Sequence, residues 1–125
     1  MSKIKLCTEL VNKTENEVFK TETNGIIESN KIKYNDNGIT VVITLNTDKI
    51  IINRRSEEYD IILPLTLNEK QNGEYKVKQL GTLNLEVVTK KLEINEKKIE
   101  IEYSMILNKT SKTDFFYKIE YEKEN

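Results

Sequence analysis

The sequence predicts an all-β domain: an antiparallel meander of about eight to ten strands closed into a barrel. Three observations carry this prediction. Apolar residues recur at every second position along most of the chain, the period of a half-buried strand. Turn-forming pairs fall between the alternating runs. The intervals between runs are short, so neighbours in sequence should pair as antiparallel hairpins.

The runs lie at residues 3–12, 16–29, 31–36, 39–47, 49–55, 58–67, 73–80, 82–95, 98–108 and 113–122. The first alternates charged and apolar residues. In 39–47 the apolar set is Ile39, Val41, Ile43 and Leu45, and in 49–55 it is Ile50 and Ile52, followed in phase by Arg54. Tyr59, Ile61, Leu63, Leu65 and Leu67 line up in the next run. Leu83, Leu85 and Val87 hold odd positions, but Leu92 and Ile94 hold even ones, so a β-bulge is expected near Thr89-Lys90-Lys91. Ile99, Ile101, Tyr103, Met105 and Leu107 share one face, as do Phe115, Tyr117, Ile119 and Tyr121. A helical reading would scatter glutamates over these faces. Asn37-Gly38 suits a type I′ hairpin, because both residues accept positive φ. Ser29-Asn30, Thr47-Asp48, Asn72-Gly73 and Asn95-Glu96 are further turn candidates, and Gly81 marks a bend. Pro64, the sole proline, lacks an N–H and predicts an edge strand or bulge. The tail EKEN is expected to fray. A sandwich would also satisfy one apolar face per strand, but ten short-looped strands in order favour a barrel, which has no exposed edge.

Composition then removes functions. A chain of 125 residues makes one domain, residues 1–125. Its net charge of −1 argues against a nucleic-acid partner. No apolar run suits a membrane helix or a signal peptide, so no membrane partner is expected. The single cysteine, Cys7, permits no internal disulfide and fits a reducing, cytoplasmic setting. Histidine is absent, which disfavours a metal site and a nucleophilic triad. No cofactor, metal or catalytic residue is assigned. An enzyme is the least favoured reading, since acid–base work would fall to Glu, Lys or Tyr alone.

EYKVKQLGTLNLEVVTKKLEI carries Tyr75, Gly81 and Thr89. Asn24-Gly25, then KIKYND with Tyr34, then the run ending in Arg54 precede it, and IEIEYSMILN with Tyr103 follows. In order and spacing these resemble the YwiB-like family of uncharacterised bacterial proteins, over residues 3–122. The chain departs from the family pattern at Arg55-Ser56-Glu57, where a glycine often follows the arginine, and at Val77, where a threonine is common. The resemblance implies a lipocalin-like (calycin) β-barrel in a bacterial cytosol. It implies no activity and no catalytic residues.

The two arginines of the chain, Arg54 and Arg55, are adjacent at a strand end. By phase, Arg54 points into the barrel near its rim and Arg55 points out. An arginine at the mouth of an apolar cavity receives a carboxylate or phosphate through its planar fork. The expected function is therefore a non-enzymatic barrel binding a small apolar or anionic ligand, with Arg54 on the head group and Tyr34, Tyr59, Tyr75 and Tyr103 on the wall. The competing reading is structural: Arg54 pairs with a rim glutamate such as Glu57 or Glu74, and the bulky inward residues tend to fill a lumen. The alternative is a protein-interaction or assembly module with a filled core, such as a homodimer. It would use Pro64 or the outward apolar residues Val42, Ile51, Ile62, Val88, Ile106 and Phe116.

Overall fold

The computed structural model describes residues 1–124. Ten strands are present: β1 (Ser2–Asn12), β2 (Glu17–Glu28), β3 (Lys31–Asp36), β4 (Ile39–Leu45), β5 (Ile50–Arg55), β6 (Tyr59–Leu65), β7 (Lys70–Val77), β8 (Gly81–Asn95), β9 (Lys98–Leu107) and β10 (Ser111–Lys123). Each pairs antiparallel with its neighbours in sequence, and β1 pairs with β10 to close the barrel. Odd-numbered strands run towards the hairpins at 13–16, 37–38, 56–58, 78–80 and 108–110, here termed the upper end. Both chain termini lie at the lower end.

The predicted phases hold. Ile4, Leu6, Ile32, Ile43, Ile50, Ile52, Leu63, Leu65, Leu85, Ile99, Ile101 and Ile119 are fully buried inside the barrel. Arg54 follows Ile50 and Ile52 inward, and Arg55 faces out beside Asp60. The register of β8 against β9 slips between Thr89 and Lys91, which returns Leu92 to the inner face opposite Ile101. Asn37 and Gly38 both take positive φ, as their hairpin requires.

Four expectations are corrected. Asn72-Gly73 is no turn: it lies within β7, which begins and ends three residues earlier than the predicted 73–80. The turn occupies 66–69 instead and reaches across to β8, where the Asn68 N–H donates to the Thr89 carbonyl. Gly73 is needed for space, since a Cβ there would stand 2.5 Å from the Ile62 carbonyl oxygen. Pro64 lies on no outer edge, because the sheet closes. It sits where β6 has parted from β7, past the last ladder pair at Ile62, so its missing N–H leaves no bond unmade on that side. The tail stays ordered to Glu124, whose N–H donates to the Lys3 carbonyl; Asn125 lies outside the described residues. Finally, the six outward apolar residues do not make one patch. Val42, Ile51 and Ile62 lie on β4–β6 and Val88, Ile106 and Phe116 on β8–β10, with β7 between the two groups. All six are half-buried.

The lower half of the β2–β3 seam is tight around Gly25. A Cβ there would fall 2.5 Å from the Lys33 carbonyl oxygen and 2.6 Å from Leu6 Cδ1. Gly25→Ala therefore forces backbone apart, and we expect it to destabilise the fold by about 1–3 kcal/mol. A urea-unfolding midpoint lowered at unchanged slope checks this.

Candidate functional site

The upper end of the barrel is polar where the lower half is aliphatic. Strand alternation brings Thr8 on β1, Thr21 on β2, Tyr34 and Asp36 on β3, Arg54 on β5 and Tyr59 on β6 to the inner face near the rim. With Leu10, Phe19 and Ile39 they line a cavity of about 600 Å³ that opens between β2 and the β3–β4 hairpin. Among the described residues, Arg54 is the cation that faces inward here, while Lys20 borders the opening from the outer face of β2. Its Nη2 lies 3.9 Å from Asp36 Oδ2, and the Thr21 hydroxyl donates to Asp36 Oδ1 at 3.1 Å. The rim glutamates Glu57 and Glu74, the expected partners of Arg54, are replaced in that role by Asp36. The reason is phase: Asp36 follows Ile32 and Tyr34 inward on β3.

Beneath the cavity the Tyr34 and Tyr117 hydroxyls meet in a hydrogen bond across the lumen. Tyr103 is buried beside them, its ring stacked on Phe115 with centroids 5.3 Å apart. Burial pushes the phenols of Tyr34, Tyr103 and Tyr117 above the ordinary tyrosine range. The Arg54 charge offsets only part of this in each case. Burial in turn disfavours the Arg54 charge, but the phenolic oxygens of Tyr117, Tyr34, Tyr103 and Tyr59 outweigh it. The guanidinium is protonated at any physiological pH.

Of the five residues singled out by sequence, Arg54, Tyr34 and Tyr59 line the cavity. Tyr103 lies under its floor, near Arg54. Tyr75 does not join the wall: it packs beside Tyr59 with ring centroids 6.2 Å apart. Sequence reasoning missed Asp36, Thr8, Thr21 and Tyr117. Each carried a signal in its phase, Asp36 with Tyr34, Thr8 with Leu6, and Tyr117 with Ile119. Asp36 was hidden by its place beside the Asn37-Gly38 hairpin, and Tyr117 by its place in an apolar run. Among the described residues no cluster of His, Cys, Asp and Glu is arranged to hold a metal ion. Cys7 is exposed on the outer face of β1, between Glu22 and Glu120 on the adjacent strands, with no cation opposite it.

The family described as "Domain of unknown function (DUF1934)" matches residues 4–119. The chain belongs to that family. The crystal structure of ywiB protein from Bacillus subtilis shares its fold, with a TM-score of 0.73 over 99% of this chain and 93% of that one. At 18% identity that likeness speaks for the fold alone. It supports the resemblance noted in the sequence and the closed antiparallel barrel. No curated protein matches the sequence.

Two predictions test the polar layer. Tyr34→Phe leaves the Tyr117 hydroxyl buried without its partner, so it should cost about 1–3 kcal/mol. The double variant Tyr34→Phe/Tyr117→Phe should cost less than the sum of the single ones, which a double-mutant cycle in urea would show. The second concerns pH. The three buried phenols ionise later in the folded chain than their ordinary value of 10.0. The unfolded chain therefore loses protons first. The stability they contribute is fully present below about pH 10 and is lost as pH rises through the folded values. Alkaline absorbance titration should show these tyrosines ionising together with unfolding, not before it.

Proposed function

We propose that this protein is a non-enzymatic barrel that binds a small, partly apolar, anionic ligand in its upper cavity, in a cytoplasmic setting. The observation that carries the reading is the placement of Arg54. Its side chain is only 17% exposed, it faces a cavity, and its nearest carboxylate stands at 3.9 Å, beyond direct hydrogen-bond reach. A carboxylate or phosphate head would take the open donors of the guanidinium, with the Tyr34 and Tyr59 hydroxyls nearby. Leu10, Phe19 and Ile39 would cover the apolar part. The size falls within the usual range for ligand sites, about 300–1,000 Å³.

The non-enzymatic part of the reading rests on the residues that face the cavity. Asp36 is its one inward carboxylate, and it is engaged by Thr21 and Arg54. The outer face is charged along most strands, as at Lys5, Glu22, Lys118 and Glu120, unlike the apolar band of a membrane barrel. Its lysines alternate with glutamates, and some pair with them, as in Lys91–Glu100 at 3.2 Å and Lys98–Glu100 at 2.9 Å, which does not suit a phosphate backbone.

Native mass spectrometry of the protein, with and without a bacterial lipid and metabolite extract, tests this. A discrete added mass is expected. It should vanish in Arg54→Ala and strengthen in Asp36→Asn, which removes the competing carboxylate. No added mass from any extract, or one that survives Arg54→Ala in a folded protein, would sink the reading.

A further inference from the structure

The β1–β2 hairpin is fastened on one side only. Towards β10, the Lys13 N–H donates to the Asp114 carbonyl at 2.8 Å, and the Asp114 N–H donates to Thr14 Oγ1 at 2.9 Å. Lys13 Nζ also meets Glu102 at 2.6 Å. Towards β3, the ladder runs only from Gly25 to Glu28. Among the described residues, Glu17–Asn24 have no ladder partner on that side. The side-chain bond from Thr21 to Asp36 is what links the strands above Gly25.

A free strand edge of this length calls for an occupant or for protection. Proteins blunt such edges with proline, bulges or repelling charges. This edge has no proline, glycine or bulge, and it leaves Val18 56% and Phe19 55% exposed. Its outward charges are Lys20 and Glu22, of opposite sign and flanking Thr21. Such a pattern attracts its own copy.

We infer that two copies of the chain pair antiparallel through these β2 edges, with Thr21 of each on the two-fold axis. The register follows from charge. With Thr21 on the axis, Lys20 of each copy lies opposite Glu22 of the other, Phe19 opposite Thr23, and Val18 opposite Asn24. Centring the axis on Lys20 would set lysine against lysine, and centring it on Glu22 would set glutamate against glutamate. Like charges directly opposite are destabilising in a sheet. The contact is isologous, as a two-fold dimer requires, and it adds backbone hydrogen bonds that the free edge lacks. It also seats the second copy beside the opening of the upper cavity, since Val18, Phe19 and Thr21 line both. The pairing holds whether or not a ligand occupies that cavity.

Sedimentation velocity on four versions of the full chain tests this. The wild type should sediment as a dimer at micromolar concentration. Lys20→Glu and Glu22→Lys each turn both symmetric contacts repulsive, and each should weaken the dimer by about tenfold or more. The double variant Lys20→Glu/Glu22→Lys should restore it. Lys20 is 73% exposed and only loosely paired with Glu9 of its own chain, at 3.7 Å, so these changes touch the surface and leave the core alone, and circular dichroism would verify the fold. A monomeric wild type overturns the inference. So does a dimer indifferent to both single reversals, or a double variant no better than the single ones.

Discussion

The width of a ten-stranded barrel is the constraint on which the structure turns. Diameter grows with strand number, and eight strands already enclose a lumen that side chains just fill. Two more strands leave a gap between facing walls that isoleucine and leucine reach only partway across. The chain answers with aromatic length. Tyr34 on β3 and Tyr117 on β10, with β1 and β2 between their strands, extend into the lumen until their hydroxyls join. A hydroxyl carried to the centre of a barrel must find a partner there, because an unsatisfied one is costly. Each tyrosine supplies the other's need, and so the upper interior becomes polar while the lower half stays aliphatic.

That polar level makes Arg54 tolerable. A guanidinium facing a purely aliphatic lumen would carry the full cost of lost hydration. Here Tyr34 and Tyr59 share its cavity, Asp36 shares its end of the barrel, and the cavity above stays open to water. The arrangement gathers residues from β1, β2, β3, β5 and β6, so no local motif encodes it. The β3–β4 hairpin contributes twice: it carries Tyr34 and Asp36 inward, and its departure from β2 opens the cavity.

Most of the fold was legible because alternation is a local property with a single meaning in a half-buried strand. Nine of the ten runs fall within a few residues of the strands observed, and the phase slip at Thr89 identified a real bulge. The error at Asn72-Gly73 has a physical cause. Glycine serves turns through its dihedral freedom and strands through its small size, and a sequence does not say which is in use. Here size was the reason. For the site, phase fixed the direction of Arg54, Tyr34 and Tyr59. It left Asp36 and Tyr117 unassigned, because which inward residues meet depends on how the strands stagger around the barrel, and stagger is a property of the whole sheet. The loose upper half of the β2–β3 seam was invisible for the same reason.

The closing ladder joins the beginning of the chain to its end, with Ile4–Asn12 of β1 bonded along Phe115–Lys123 of β10. During synthesis β1 emerges first, and its last partner emerges last. At about 5–20 residues per second, the first strand waits on the order of ten seconds with one side unpaired. Such pairing of distant segments slows folding and leaves sheet edges open meanwhile. Lys3, Lys5 and Glu9 alternate along the outer face of β1 through that interval. Charged side chains on an unpaired strand disfavour its pairing with another chain, so the same residues that solvate the finished barrel also blunt this edge while it stands open.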